Sequence, residues 1–124
     1  MEFKFDTKPT YTIITPAADI LDDNITGKLA ELTLQDYGND STNFIIDLQH
    51  CISADNTSLS GVLKVHDACY AEQRSFVLTG AQPAVLQILQ AGDDSERLNI
   101  APTMQEAVDI ISMEILERDL LSEE

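Results

Sequence analysis

The chain has 124 residues, a length typical of one globular domain, and 44% of them are hydrophobic. It carries 22 acidic and 7 basic residues, which gives a formal net charge of -15. Binding to nucleic acid and to anionic membrane surfaces is disfavoured, because both depend on Lys and Arg. The apolar runs are too short to cross a membrane, and the first residues do not resemble a secretion signal. We expect one acidic domain over residues 1–124, cytoplasmic and without a metal or cofactor.

The first part of the chain predicts a β-hairpin and a helix. Phe3 and Phe5 alternate with polar residues, which is typical of a strand with one buried face. The β-branched segment 11–15 predicts a second strand, antiparallel to the first. A helix follows, with capping residues at its start and apolar residues at helical spacing, and Gly38 is its predicted end. The capping residues are Asp22, Asp23 and Asn24, and the apolar residues are Ile25, Leu29 and Leu32.

The middle of the chain predicts two buried strands around an amphipathic helix. The apolar segment 43–48 is typical of a buried strand, and the polar segment 49–57 of a loop. Residues 75–79 predict the next strand, which ends at Gly80. Between them an apolar stripe with helical periodicity comprises Leu59, Val62, Leu63, His66, Cys69 and Tyr70.

The last part of the chain predicts two more helices. Pro83 is suited to the first turn of a helix that Gly92 closes, and residues 98–100 predict a short edge strand. Thr103 and Glu106 have the spacing of a capping box, which predicts a final, acidic helix over about 103–121. Helices that alternate with strands favour a mainly parallel sheet. We therefore expect an α/β fold with a mixed sheet of about five strands and about four helices.

A run of hydroxyl-bearing and acidic residues joins the predicted loop to the helix that follows it. The run is Asp55-Asn56-Thr57-Ser58-Leu59-Ser60-Gly61. One interpretation is structural, in which these residues only cap the helix. The other is a phosphorylation switch, because a phosphate at a helix start gains from the helix dipole and adds roughly -1.5 to -2 charges to a surface. In open α/β sheets, ligands usually bind beyond the carboxyl ends of the strands, where this loop is predicted to lie.

The remaining chemistry-bearing residues favour structural roles. The sequence has no nucleophile elbow, phosphate-binding Gly-rich loop or zinc-protease motif. His66 is expected in the core, the thiols Cys51 and Cys69 are expected to be free, and the acidic pairs 22–23 and 93–94 are expected to cap helices or to be solvated. An enzyme is an alternative that would need a pocket joining His50, Cys51 and Asp55. His50 and Cys51 are adjacent in the sequence, and the spacing places no third ligand beside them.

The final helix carries apolar residues outside its main stripe. The main stripe comprises Met104, Ala107, Val108, Ile111 and Ile115. The additional residues are Ile110, Met113, Leu116, Leu120 and Leu121. They either belong to the core and a partly covered helix end, or form a contact surface for a partner or a second copy.

The element order and one motif resemble the STAS domain, the fold shared by bacterial anti-sigma factor antagonists and the cytoplasmic tails of sulfate transporters. The motif is a hydrophobic strand, here 44–48, followed by a loop with Asp, a hydroxyl residue and then Leu, here Asp55, Thr57 and Leu59. Segment 75–79 and Pro83-Ala84-Val85 resemble a later strand and helix start of that family. The resemblance covers roughly residues 3–115.

The resemblance implies a non-catalytic, monomeric regulator that binds an anti-sigma factor with serine kinase activity. Thr57 would be the phosphoacceptor, with Ser58 as the alternative, and a phosphatase would reverse the modification. The implied partner-binding residues are Asp55, Asn56, Thr57, Ser58, Leu59 and Ser60, with Asp55 orienting the loop. Asn56 and Ser58 stand where many switching members have Ser and Gly. This departure favours the other hypothesis, a constitutive adaptor in a stressosome-like or transporter-associated complex.

Overall fold

A five-stranded mixed sheet lies at the centre of the computed structural model, which describes residues 2–34, 43–91 and 96–122. Gly38, Gly92 and the acidic pair 93–94 lie outside the described residues. The strands are β1 (Phe3–Thr7), β2 (Thr12–Pro16), β3 (Ile20–Leu21), β4 (Phe44–Asp47), β5 (Ser53–Ala54), β6 (Phe76–Thr79) and β7 (Ile100–Ala101). The helices are α1 (Asp23–Leu34), α2 (Ser58–Ala71), α3 (Pro83–Leu89) and α4 (Met104–Ser122).

The strand order in the central sheet is β1-β2-β4-β6-β7. β1 and β2 pair antiparallel, and every other neighbouring pair in this sheet is parallel. β4 and β6 are buried along their whole length, as expected for parallel strands covered on both faces. The predicted α/β class, with its mixed sheet and four helices, is confirmed over the described residues.

The two faces of the sheet are covered by different helices. Ile14 and Ile46 belong to a large core cluster that also contains the buried apolar residues of α1, α2 and α3. Ile45 and Val77 point into a smaller cluster with Ala107 of α4. This alternation follows from the two-residue period of a strand. The helices α1 to α3 therefore lie on one face of the sheet, and α4 lies on the other.

The helix starts follow the predicted chemistry. The backbone N–H of Ile25 donates to Asp22 Oδ1 at 3.0 Å, so Asp22 caps α1. The backbone N–H of Glu106 donates to Thr103 Oγ1 at 3.2 Å, which is one half of the predicted capping box of α4. Pro83 is in the first turn of α3, where its missing N–H removes no helical hydrogen bond.

Three predictions about strands require correction. β1 forms, but Phe5 is 51% exposed rather than buried, because β1 is an edge strand of the sheet. The segment 49–57 is not entirely loop, since β5 pairs in parallel with β3 in a second, two-stranded sheet. The final edge strand is Ile100–Ala101 rather than 98–100, because the parallel register pairs Leu78 and Thr79 with those two residues.

Candidate functional site

The segment from β5 to α2 carries the candidate site and is fixed by backbone hydrogen bonds on both sides. The N–H of Ile52 donates to the carbonyl of Asp19 at 2.7 Å, and the N–H of Asp55 donates to that of Leu21 at 3.0 Å. The β3–β5 pair therefore ties the segment to the start of α1. A tie of this kind gives the loop a defined position beside α1 and α2.

Thr57 is the exposed N-cap residue of α2 and is held by the side chain of Asp55. Its hydroxyl donates to Asp55 Oδ1 at 2.6 Å, and its backbone N–H donates to the same oxygen at 3.0 Å. Its own side chain does not cap the helix. The Asp55 carboxylate therefore orients the Thr57 hydroxyl at the protein surface, as in a typical Asx turn.

The neighbouring hydroxyl of Ser58 is inaccessible. Ser58 is 0% exposed, and its Oγ donates to the carbonyl of Asp55 at 2.7 Å. The sequence placed Ser58 on the docking edge and named it as the alternative phosphoacceptor, but its burial leaves no surface for a partner or a kinase to contact. Of the other predicted partner-binding residues, Asn56 and Ser60 are exposed and Leu59 is half-buried.

A shallow groove between α1 and α2 opens beside Thr57. Its volume is about 260 Å³, and Asp23, Thr57, Ser60 and Lys64 contribute to its wall. The two helices approach closely at Gly61, where an added Cβ would lie 2.8 Å from the Cβ of Thr26. Gly61 therefore permits the helix packing that forms the base of this groove.

Two exposed isoleucines lie beside the site and were missed by sequence analysis. Ile20 in β3 is 50% exposed, and Ile52, directly before β5, is 57% exposed. The N–H of Ile52 donates to the carbonyl of Asp19, the residue before Ile20, so the backbones of the two isoleucines are neighbours. Ile52 is an apolar residue in a polar segment, and this contrast could have identified it in the sequence as an exposed apolar residue. Contiguous exposed apolar patches mark protein-binding surfaces, whereas single exposed apolar residues do not, so these two residues are candidates for part of such a patch.

The histidines and cysteines offer little support for a catalytic centre. His66 is buried, and its ring lies 4.6 Å from that of Tyr70, which fits the predicted core role. Cys51 and Cys69 are free and buried. Burial, with smaller effects of Asp19 and Asp22, raises the pKa of the Cys51 thiol and so disfavours the thiolate that an enzyme would need. Within the described ranges, no three His, Cys, Asp or Glu residues are grouped as metal ligands.

In the described part of the chain, no helix is both long enough and apolar enough to span a membrane.

Comparison with known proteins assigns the family. A family model for the STAS domain matches residues 3–107. The chain therefore belongs to the STAS domain family, as the motif around Asp55 and Thr57 suggested. A comparison with curated proteins found no match.

Solved structures of several regulators share the fold. RsbS from Moorella thermoacetica, solved as a serine-to-glutamate variant, has a TM-score of 0.70 and 20% identity, over 95% of this chain and 99% of that one. The anti-sigma factor antagonist SpoIIAA in its unphosphorylated form has a TM-score of 0.63 and 18% identity, over 90% and 96%. A chain from the stressosome, described as a signal integration and transduction hub, has a TM-score of 0.62 and 17% identity, over 88% and 96%. At these identities the likeness establishes the shared fold.

Proposed function

We propose that this STAS domain is a non-catalytic anti-sigma factor antagonist whose binding to a partner is controlled by phosphorylation of Thr57. The partner is an anti-sigma factor with serine kinase activity, which supplies the ATP, and a phosphatase restores the unmodified form. The observation that carries the proposal is the exposed Thr57 hydroxyl, held by Asp55 at the start of α2.

The local geometry explains how a phosphate would alter this surface. The Thr57 hydroxyl donates to the Asp55 carboxylate, but a phosphorylated oxygen has no proton to donate and carries about -1.5 to -2 charges. The phosphate and the carboxylate would repel each other, so the Asp55–Thr57 hydrogen bond would break. Asp23 and Lys64 also line the groove, so the phosphate would meet one further charge of each sign there. The change is confined to the exposed loop, and the core need not rearrange.

The surface next to Thr57 suits a protein partner. Ile20 and Ile52 supply exposed apolar area, and the exposed Asp55 supplies negative charge. The groove itself is lined by one acidic residue, Asp23, and one basic residue, Lys64. A partner with an apolar anchor and basic residues beside it would complement this surface. Two proteins of the same fold support the proposal, since SpoIIAA has an unphosphorylated form and RsbS was solved with a glutamate in place of a serine.

The test compares capture of partners by the wild type, Thr57→Glu and Thr57→Gln. Glutamine matches glutamate in size but lacks its charge, so it is the control for a change of shape. We expect the wild type to capture a small kinase-like ATPase from native lysate, and the purified ATPase to lose more than tenfold in affinity for Thr57→Glu. Thr57→Gln should bind more tightly than Thr57→Glu.

A second measurement locates the modification itself. The captured kinase and ATP should add phosphate to the wild type at Thr57, and mass spectrometry of peptides should find no phosphate in Thr57→Val. Phosphorylation at Ser58 in either protein would overturn the assignment, because Ser58 is buried. Equal affinities of the wild type and Thr57→Glu would refute the switch.

The second candidate function is a constitutive adaptor, and one observation favours it. The hydrogen bonds of Thr57 with Asp55 give that residue a structural role without any phosphorylation. The likeness to a stressosome chain is compatible with an adaptor that binds within a larger protein assembly. The adaptor predicts that Thr57→Glu changes partner affinity by less than about tenfold, or ~1.4 kcal/mol. Capture of the same scaffold or membrane protein by both forms would support it.

A further inference from the structure

The outward face of α4 carries an exposed apolar stripe that the proposed function does not use. Met113, Leu116 and Leu120 are 61%, 59% and 57% exposed. Their spacing of three and four residues places them on one side of the helix. Ala107 and Ile111, both 0% exposed, lie on the opposite side and pack against the sheet. The stripe therefore points away from the core and is not an incomplete part of it.

The border of this stripe is acidic. α4 contains five acidic residues and one basic residue, Arg118. Glu106, Asp109 and Glu117 are exposed near the stripe. The guanidinium of Arg118 donates to the carbonyl of Gln73 and to two side chains at the sheet, so its charge faces inward. A ligand of the stripe would therefore meet apolar side chains between negative charges.

We propose that the outward face of α4 binds a basic amphipathic helix of a partner protein. Leucines on one side of such a helix would cover Met113, Leu116 and Leu120, and its Lys and Arg would face the acidic border. This surface lies on the opposite side of the sheet from α2 and Thr57. It is a second interface, separate from the surface around Thr57.

Charge and size argue against a second copy as the occupant. Pairing of two α4 helices would bring their acidic borders together, in chains that each carry a net charge of -15. Three side chains are also few for a stable homodimer, which buries about 800 Å² on each partner. Opposite charges, in contrast, speed the encounter with a basic helix and favour it over a like-charged copy.

The probe is a fluorescein-labelled peptide of about 14 residues, made of leucine and lysine with leucines at helical spacing. Its control is a scrambled peptide of the same composition. The proteins are the wild type, Leu116→Gln/Leu120→Gln and a matched pair of substitutions elsewhere, Phe5→Gln/Leu34→Gln, where the replaced side chains are 51% and 43% exposed. None of these substitutions alters the net charge.

We expect the wild type and the Phe5→Gln/Leu34→Gln protein to bind the amphipathic peptide equally in fluorescence anisotropy. Leu116→Gln/Leu120→Gln should bind at least tenfold more weakly while keeping the circular dichroism of the wild type. Thr57→Glu should bind like the wild type, so failure here is distinguishable from failure of the phosphorylation switch.

Several results would overturn the proposal. Equal binding of the scrambled peptide would show that charge alone attracts the probe. Equal binding by the Leu116→Gln/Leu120→Gln protein would place the peptide elsewhere. Sedimentation of the wild type as a dimer that this variant abolishes would identify a second copy as the occupant. Absence of measurable binding by the wild type would also refute it.

Discussion

Replacing Gly61 with alanine tests the close approach of α1 and α2 beneath the Thr57 loop. An added Cβ at Gly61 would lie 2.8 Å from the Cβ of Thr26, a side chain that is only 3% exposed. Thr26 is fixed within α1 and packs against α2, so it cannot swing aside as a long flexible side chain could. Gly27 provides the matched control, since it is also helical and an added Cβ there would meet nothing within 4 Å.

The magnitude follows from two opposing effects. Alanine stabilises a helix interior by about 1 kcal/mol relative to glycine, and this gain applies at both positions. Overpacking in a closely packed region costs about 1–3 kcal/mol, and this cost applies only at Gly61. We therefore expect Gly27→Ala to raise the free energy of unfolding by up to about 1 kcal/mol. Gly61→Ala should lower it, by up to about 2 kcal/mol.

Urea unfolding followed by circular dichroism measures both changes, with the midpoint shift interpreted only if the slope is unchanged. A Thr26→Ala/Gly61→Ala double variant checks the cause, because removal of the Thr26 side chain should recover part of the loss. If Gly61→Ala stabilised the protein as much as Gly27→Ala, α1 and α2 would not approach as closely as described. The description of the groove beside Thr57 would then be wrong.

Three further predictions concern stability. Gln73 has a φ of 62°, so Gln73→Gly should raise the free energy of unfolding by about 1 kcal/mol in urea unfolding, and a loss would contradict the strain. Arg118→Met removes three hydrogen bonds between α4 and the rest of the fold and should cost about 2 kcal/mol in thermal unfolding, whereas an unchanged midpoint would exclude this role. Burial and the hydrogen bond to Glu114 raise the pKa of Tyr70, so the folded state favours the neutral phenol. The neutral phenol therefore contributes fully to the free energy of unfolding below about pH 10, and this contribution is lost as the pH rises. Tyr70→Phe should therefore lose less stability than the wild type between about pH 9 and pH 11, and equal slopes would refute the shift.

The long elements could be predicted because their periodicity is strong. The apolar stripe from Leu59 to Tyr70 and the β-branched run of β4 each leave one plausible conformation, and the caps at Asp22 and Thr103 fix two helix starts. β3 and β5 could not be predicted in this way. Two residues are too few to show a period, and the pair exists because tertiary packing brings the chain after β2 beside the chain after β4.

The candidate site was predictable in its chemistry but not in its exposure. The motif located Asp55 and Thr57, and the structure joins their side chains by a hydrogen bond. The sequence could not distinguish the accessible hydroxyl of Thr57 from the buried hydroxyl of Ser58. The two residues are adjacent at a helix start, and only the directions of their side chains separate them. The phosphoacceptor role of Thr57 remains a prediction.

The arrangement of layers determines whether the two proposed interfaces can influence each other. Thr57 begins α2 on one face of the sheet, and Leu116 and Leu120 lie on α4 on the other face. An α-helix with its side chains is about 10 Å across, so α4 and the sheet together separate the two surfaces by more than about 10 Å. The Debye length at physiological ionic strength is about 8 Å, so a charge added at Thr57 is screened before it reaches α4. The strands β4 and β6 lie between the surfaces and are buried along their whole length, and coupling through packed elements requires two discrete arrangements of them. Phosphorylation would therefore release a partner from the Thr57 surface while a partner on α4 stays bound.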